Sequence, residues 1–169
     1  MRNLVIGGIE IPIRASEVIT QSFEPIQSVS RLRMSDGALT QQTSWSGKLL
    51  TKISADGILP SGLQLLDYSQ PIIIKSIAES AVLSASNIID VPSARRGDYS
   101  VEGRALVDGK WVSTPVNVVG DTATLTVVAS ATQYQAIYWA ELSCYCDPPT
   151  ENRNARNSTY SWDFEGEEI

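Results

Sequence analysis

The chain has 169 residues and no histidine. That removes the commonest general base and the one side chain that titrates near neutrality unperturbed. The Ser-His-Asp and Cys-His arrangements of nucleophilic catalysis go with it. Cysteine is almost as scarce: Cys144 and Cys146 flank Tyr145. In a strand they point to the same face. A bridge between residues two apart closes a small, strained ring, and a tetrahedral zinc site needs more ligands than two thiols supply. Free, partly buried thiols are therefore expected, with a strained disulfide or pairing between subunits as the other reading. A Cys144 nucleophile would need an electropositive setting, whereas Glu141 and Asp147 nearby would raise its pKa. Charge is also thin, at 19% of residues, with a net charge of −6 and a pI of about 4.6. The basic footprint of nucleic-acid binding is missing from these totals, leaving only local patches at Arg31 and Arg33 or at Arg95 and Arg96. Low charge suits a surface covered by neighbouring subunits. No run of 18 apolar residues occurs, so neither a transmembrane helix nor membrane insertion is expected. The opening stretch is broken by Gly7, Gly8 and Glu10, too early for a signal peptide. Synthesis and folding in a cytoplasm are expected, and Asn157-Ser158-Thr159 then matches a glycosylation acceptor by coincidence.

What is present is short-period alternation punctuated by turns. Leu4–Ile13 reads as one or two short strands around Gly7-Gly8, and Pro12 and Pro25 argue against a long helix there. Ser28–Met34 alternates with one slip of phase and ends at Ser35-Asp36-Gly37, a turn signal. Gln41–Ala55 continues as strand, with Asp56-Gly57 as its expected turn and Leu59–Leu63 as a loop. Leu63–Tyr68 reads as a single helical turn. Pro71–Ile77 is a β-branched run that begins where a strand tolerates proline. Ala78–Ala85 alone has appreciable helix propensity, but without an apolar stripe it stays open. Tyr99, Val101, Gly103, Ala105 and Val107 alternate with Ser100, Glu102, Arg104 and Leu106 up to Asp108-Gly109, a strong hairpin signal. Gly120-Asp121 turns the chain again. Tyr134–Cys146 reads as a long strand, and Tyr160, Trp162 and Phe164 share one face of a final one. Asp147–Ser158 is too polar to bury a core of its own and reads as a loop. The expected architecture is all-β: an antiparallel sandwich or barrel-like domain with extended loops and little helix. It forms one domain over 1–169, with residues 1–92 as a candidate elaboration on the clearer β half at 98–169.

Candidate chemistry is sparse. Glu102, Asp108, Glu141 and Asp163 lie in or near strands and are the only carboxylates offered for a paired acid–base mechanism. Solvated strand faces are the simpler account of them. Gly7-Gly8 lacks the Lys-Ser/Thr and the helix of a phosphate-binding loop. Arg96-Gly97-Asp98 spells an adhesion tripeptide, but Gly-Asp is an ordinary turn pair. No catalytic, cofactor or metal residue is assigned. The acidic end, Glu165-Gly166-Glu167-Glu168-Ile169, reads either as a solvated tail or as a charge patch that meets a basic neighbour.

Two stretches carry a resemblance. One is Arg31-Leu32-Arg33-Met34-Ser35-Asp36-Gly37 with Gln41–Trp45, Gly62-Leu63 and Leu66-Asp67-Tyr68-Ser69-Gln70-Pro71. The other is Tyr160-Ser161-Trp162-Asp163-Phe164-Glu165-Gly166-Glu167-Glu168. Together, over about a third of the chain, they resemble small tail-tip or distal tail structural proteins of bacteriophages with long non-contractile tails. The resemblance implies a β-sandwich subunit in a ring of three-fold or six-fold symmetry, with arms reaching its neighbours. The partners it implies are further copies of the chain and other tail proteins, and the location is the virion tail. It brings no catalytic or cofactor residue. On this reading the Arg31–Pro71 segment and the 147–158 loop are contact regions, with Arg31, Arg33, Trp45, Tyr68, Trp111, Arg153 and Arg156 as candidate subunit contacts. A carbohydrate- or receptor-binding β-sandwich is the alternative. The two differ in where the aromatics point: a clustered, solvent-facing platform favours ligand binding, and aromatics covered by subunits favour assembly.

Overall fold

Alternation with period two dictates strands, and strands are nearly all that form. The structure, a computed structural model, describes residues 3–169. Among them are β1 (Val5–Ile6), β2 (Ile9–Glu10), β3 (Val18–Arg33), β4 (Leu39–Gly57), β5 (Ile72–Ser84), β6 (Ile88–Asp90) and β7 (Glu102–Val107). There follow β8 (Lys110–Thr114), β9 (Val116–Val119), β10 (Thr122–Leu125), β11 (Ala131–Cys146), β12 (Thr150–Asn154) and β13 (Thr159–Glu168). The one helical element described is a 3-10 turn at Ile13–Ala15. Every strand pairing given below is antiparallel. Two compact units result: a flanking unit of Val5–Ile73 with Ser143–Ile169, and a middle unit of Ile74–Leu142 with Asn3 and Leu4. The boundaries fall inside β5 and β11.

In the flanking unit, β1 and β2 form a hairpin whose turn places Gly7 and Gly8 at φ 57° and 80°. The main ladder runs β3–β4–β13. The far edge of β13 is shared, with β12 along its first half and the end of β11 along its last residues. Asp147-Pro148-Pro149 bridges the two, where a proline pair has no N–H to give a ladder. On one face Thr51, Ile53, Ala55, Trp162, Phe164, Cys144 and Cys146 are buried, and their neighbours one residue along mostly face solvent. Burial of a side chain such as Phe164 contributes about 1.5–3 kcal/mol. Trp162 Nε1 donates to the Ala15 carbonyl at 2.8 Å, which satisfies the buried indole and fixes the 3-10 turn against the sheet.

Three expectations are corrected here. Asp56-Gly57 is not a turn: Asp56 pairs with Ser161 and Val18 inside the ladder. Gly57 is required by close approach, since a Cβ there would strike the backbone of Arg14 and Ala15. Leu63–Tyr68 forms no helix but a turn, closed by Leu66 N–H on the Leu63 carbonyl at 3.3 Å. The 147–158 segment is not simply a loop, because Thr150–Asn154 is strand, joined to β13 by a turn at 155–158. Its order comes from partners distant in sequence. Glu151 accepts from the Ser61 N–H at 3.1 Å and from the Ser61 hydroxyl, and Gln64 donates to the Pro149 carbonyl at 3.1 Å.

In the middle unit β7 and β8 form the expected hairpin, with Asp108 and Gly109 at φ 48° and 74°. β7 also pairs with β11, and β6–β10–β9 make a separate three-stranded sheet. Ala78–Ser84, left open by the sequence, is strand. Ile89, Val91, Val101, Ala105, Ala123, Leu125, Tyr134 and Ala136 cluster as the core. Arg95 and Arg96 are structural, not a basic patch. Arg96 is 3% exposed and binds both Asp98 oxygens, at 2.9 and 2.7 Å. Its third nitrogen donates to the Asn3 and Ser76 carbonyls at 2.7 and 2.9 Å, and its guanidinium lies 4.1 Å from the Tyr99 ring centre. Arg95 clamps the Gly120-Asp121 turn through the Asp121 carboxylate at 2.8 Å and the Gly120 carbonyl at 2.6 Å. The Arg96-Gly97-Asp98 tripeptide is thus closed on itself.

Candidate functional site

The ladder of β4 with β13 begins at Leu50, whereas its pairing with β3 continues to Leu39. Beyond Leu50, β3 and β4 therefore pair with each other and form a two-stranded arm. Nothing from Ile26 to Gly47 is buried. The arm is tied down at its root, where the Leu49 N–H donates to the Glu168 carboxylate at 2.9 Å and Lys48 donates to the Ile169 carbonyl. The register shifts between Ile26 and Ser28 and again between Ser28 and Val29. Gly47, at φ 81°, lies in the first of these bulges, in a conformation that disfavours a side chain. At the tip, the Asp36 carboxylate accepts from the Ala38 N–H at 2.9 Å and Gly37 takes φ 86°.

The arm has two differently built faces. Cross-strand pairs Val29–Thr43, Arg31–Gln41 and Arg33–Leu39 share one. Ser28–Trp45, Ser30–Gln42 and Leu32–Thr40 share the other. Arg31 donates to the Gln41 side-chain carbonyl at 3.0 Å and Arg33 to the Gly37 carbonyl at 3.1 Å, both neutral acceptors. Leu32, Met34, Leu39 and Trp45 are all roughly half or more exposed, up to 69% for Leu32.

Nearer the root, the solvent face of the β3–β4–β13 ladder is acidic. Register places Glu24 beside Leu50, Ser22 beside Lys52 and Val18 beside Asp56, and sets Glu167, Glu165 and Asp163 beside Leu50, Lys52 and Ser54. Tyr145 stands beyond Glu167. Five carboxylates thus share this face with two lysines, Lys52 and, toward the arm's root, Lys48. Lys52 reaches Glu24 at 3.7 Å and Glu165 at 3.8 Å, and Asp163 accepts from the Ser54 hydroxyl at 2.7 Å. A groove of about 1170 Å³ opens along this region, lined among others by Tyr145, Asp147, Asp163, Glu165 and Glu167. The acidic end is therefore not a solvated tail but the last strand of the ladder.

The remaining candidate contacts are dispersed. Tyr68 donates to the Leu63 carbonyl at 2.6 Å and tilts against Phe164 at 6.5 Å. Burial, aided by the nearby Glu151 charge, raises its pKa. Arg153 and Arg156 are exposed on the β12–β13 hairpin, with Arg153 5.6 Å from the Tyr160 ring centre. Trp111 lies on β8 in the middle unit, 39% exposed. Trp45 and Trp111 are therefore not packed into a core, a role that Trp139 and Trp162 fill, each 1% exposed. The arm alone brings several candidates together, namely Arg31, Arg33 and Trp45. The sequence reading missed the acidic face. The spacing of Asp163, Glu165 and Glu167 signals it, but Glu24 and Asp56 join only through the register.

The two thiols and the strand carboxylates are the groups that the sequence offers for chemistry. Burial pushes both thiols up to about 12, reinforced by Cys146 and Glu168 for Cys144 and by Asp147 for Cys146. Among the described residues the cysteines are free. Glu102 and Asp108 flank the two ends of β7, about 20 Å apart at the rise of a strand, well beyond the spacing of a glycosidase pair. Glu141 pairs with Lys75 at 3.6 Å. The chain was compared with family models, with curated proteins and with solved structures, and it matches none.

Proposed function

We propose that this chain is a structural subunit of a bacteriophage tail, at the tip, baseplate or distal region, that works by assembling into a symmetric ring and contacting other tail proteins. The observation that carries this reading is the arm. An ordered ribbon from Ile26 to Gly47 with no buried residue does nothing for its own core, and exposed Leu32, Met34, Leu39 and Trp45 gain only when something covers them. Heterologous contacts of an arm with the next copy close into a ring when the rotation permits, and three-fold or six-fold closure is the expectation. The reading assigns the chain no catalytic step. Immunogold electron microscopy with an antibody against the chain, on tailed particles from cells that express it, tests the proposal. Label confined to the tail end is the expected result. Label along the tube keeps a virion role and changes its position. Unlabelled intact particles with free protein in the lysate overturn the proposal and favour the carbohydrate- or receptor-binding alternative.

A further inference from the structure

The arm and the acidic face have complementary chemistry but do not meet within one chain. Arg31 stands seven residues up β3 from Glu24, about 23 Å at the rise of a strand. That is more than two screening lengths at physiological salt, so neither charge set offsets the other. The arm carries two arginines against Asp36, while the whole chain is at −6. Its Arg31 and Arg33 face also holds Val29 and Leu39, and the acidic face holds Leu50, Tyr145 and Val18 among its carboxylates. Both surfaces thus mix apolar side chains with charge, of opposite sign.

We infer that the Arg31 and Arg33 face of one copy's arm docks on the Glu24, Asp163, Glu165 and Glu167 face of the next copy. This rests on the ring reading and names the contact that would build it. The arm extends along its own ladder, so it reaches another copy's face and not its own. Each copy then gives one arm and receives one, a head-to-tail contact that propagates around a ring. Charge pairing fixes the register, and the covered apolar side chains supply the driving force.

Charge reversal tests the contact. Arg31→Glu with Arg33→Glu, and separately Glu24→Lys with Glu165→Lys and Glu167→Lys, which turns the face net positive, change exposed residues, and circular dichroism checks that both variants remain folded. Sedimentation velocity of the wild type should show concentration-dependent oligomers that weaken with salt. Each variant should associate about 100-fold or more weakly. An equimolar mixture of the two should recover oligomers, because each arm then finds a face of opposite sign. Oligomers that ignore both reversals, or a mixture that fails to recover, overturn this docking contact and leave the ring reading standing. A wild type that stays monomeric at its highest soluble concentration overturns the contact and removes the self-assembling ring with it.

Discussion

Two pairs of arginines in this molecule are used in opposite ways. Arg95 and Arg96 in the middle unit are surrounded by carbonyls and by the carboxylates of Asp121 and Asp98. Arg31 and Arg33 on the arm hold only neutral oxygens and face solvent. The tryptophans divide in the same way, with Trp139 and Trp162 enclosed and Trp45 and Trp111 open. A side chain's chemistry does not say whether it holds a fold together or waits for a partner, but its neighbours do. Net charge hides the difference, since all four arginines count equally toward −6.

The largest test of this contrast uses the tryptophans. Trp139→Ala or Trp162→Ala should cost about 3–5 kcal/mol in chemical denaturation, and Trp45→Ala less than about 1 kcal/mol. A large loss at Trp45 would mean that the arm belongs to the core after all. Next come the arginines. Arg96→Ala leaves buried carbonyls unsatisfied and Asp98 unpaired, and should cost on the order of 3 kcal/mol. Arg31→Ala should stay within about 0.5 kcal/mol in the monomer. The third test is acid. Arg96 donates to Asp98 and holds its pKa at about 2, below the ordinary 3.8. A depressed carboxylate stabilises the fold above the ordinary value, and that contribution is lost as pH falls from 3.8 through about 2. With 44% of the Asp98 side chain exposed, solvent screening limits it to about 1 kcal/mol. Asp98→Asn should flatten this segment of the stability curve. The smallest effect is expected at the thiols. Cys144 and Cys146 should resist alkylation at neutral pH in the folded chain and react once denaturant exposes them, as read by mass spectrometry.

The all-β class was legible because alternation and turn residues are local. Asp108-Gly109 and Gly7-Gly8 turn where they should, since positive φ at a two-residue turn is a property of those residues themselves. Asp56-Gly57 misleads for the same reason: it is locally a turn pair, but its glycine answers to the Arg14 and Ala15 backbone, more than forty residues away in sequence. The 150–154 strand was illegible because its order depends on Ser61 and on β13, and a polar sequence says nothing of partners so remote. The arm was half legible. Its strands and tip show in Ser28–Met34 and Ser35-Asp36-Gly37, but that no third strand among the described residues flanks it is a fact of pairing. The acidic face likewise needs the register that sets Glu24 and Glu167 on either side of Leu50.

The two bulges near the arm's root have a consequence for the chain's life before it meets a partner. A long flat ribbon with both edges open invites strand-by-strand stacking into fibrils. The register shifts on either side of Ser28 twist the edges away from that geometry, and Arg31 and Arg33 place like charges where a second identical ribbon would align. The same features leave the arm free to approach a differently charged surface. Straightening the ribbon by deleting Ser44 and Gly47 should therefore raise fibrillar self-association above that of the wild type, as read by thioflavin fluorescence and light scattering.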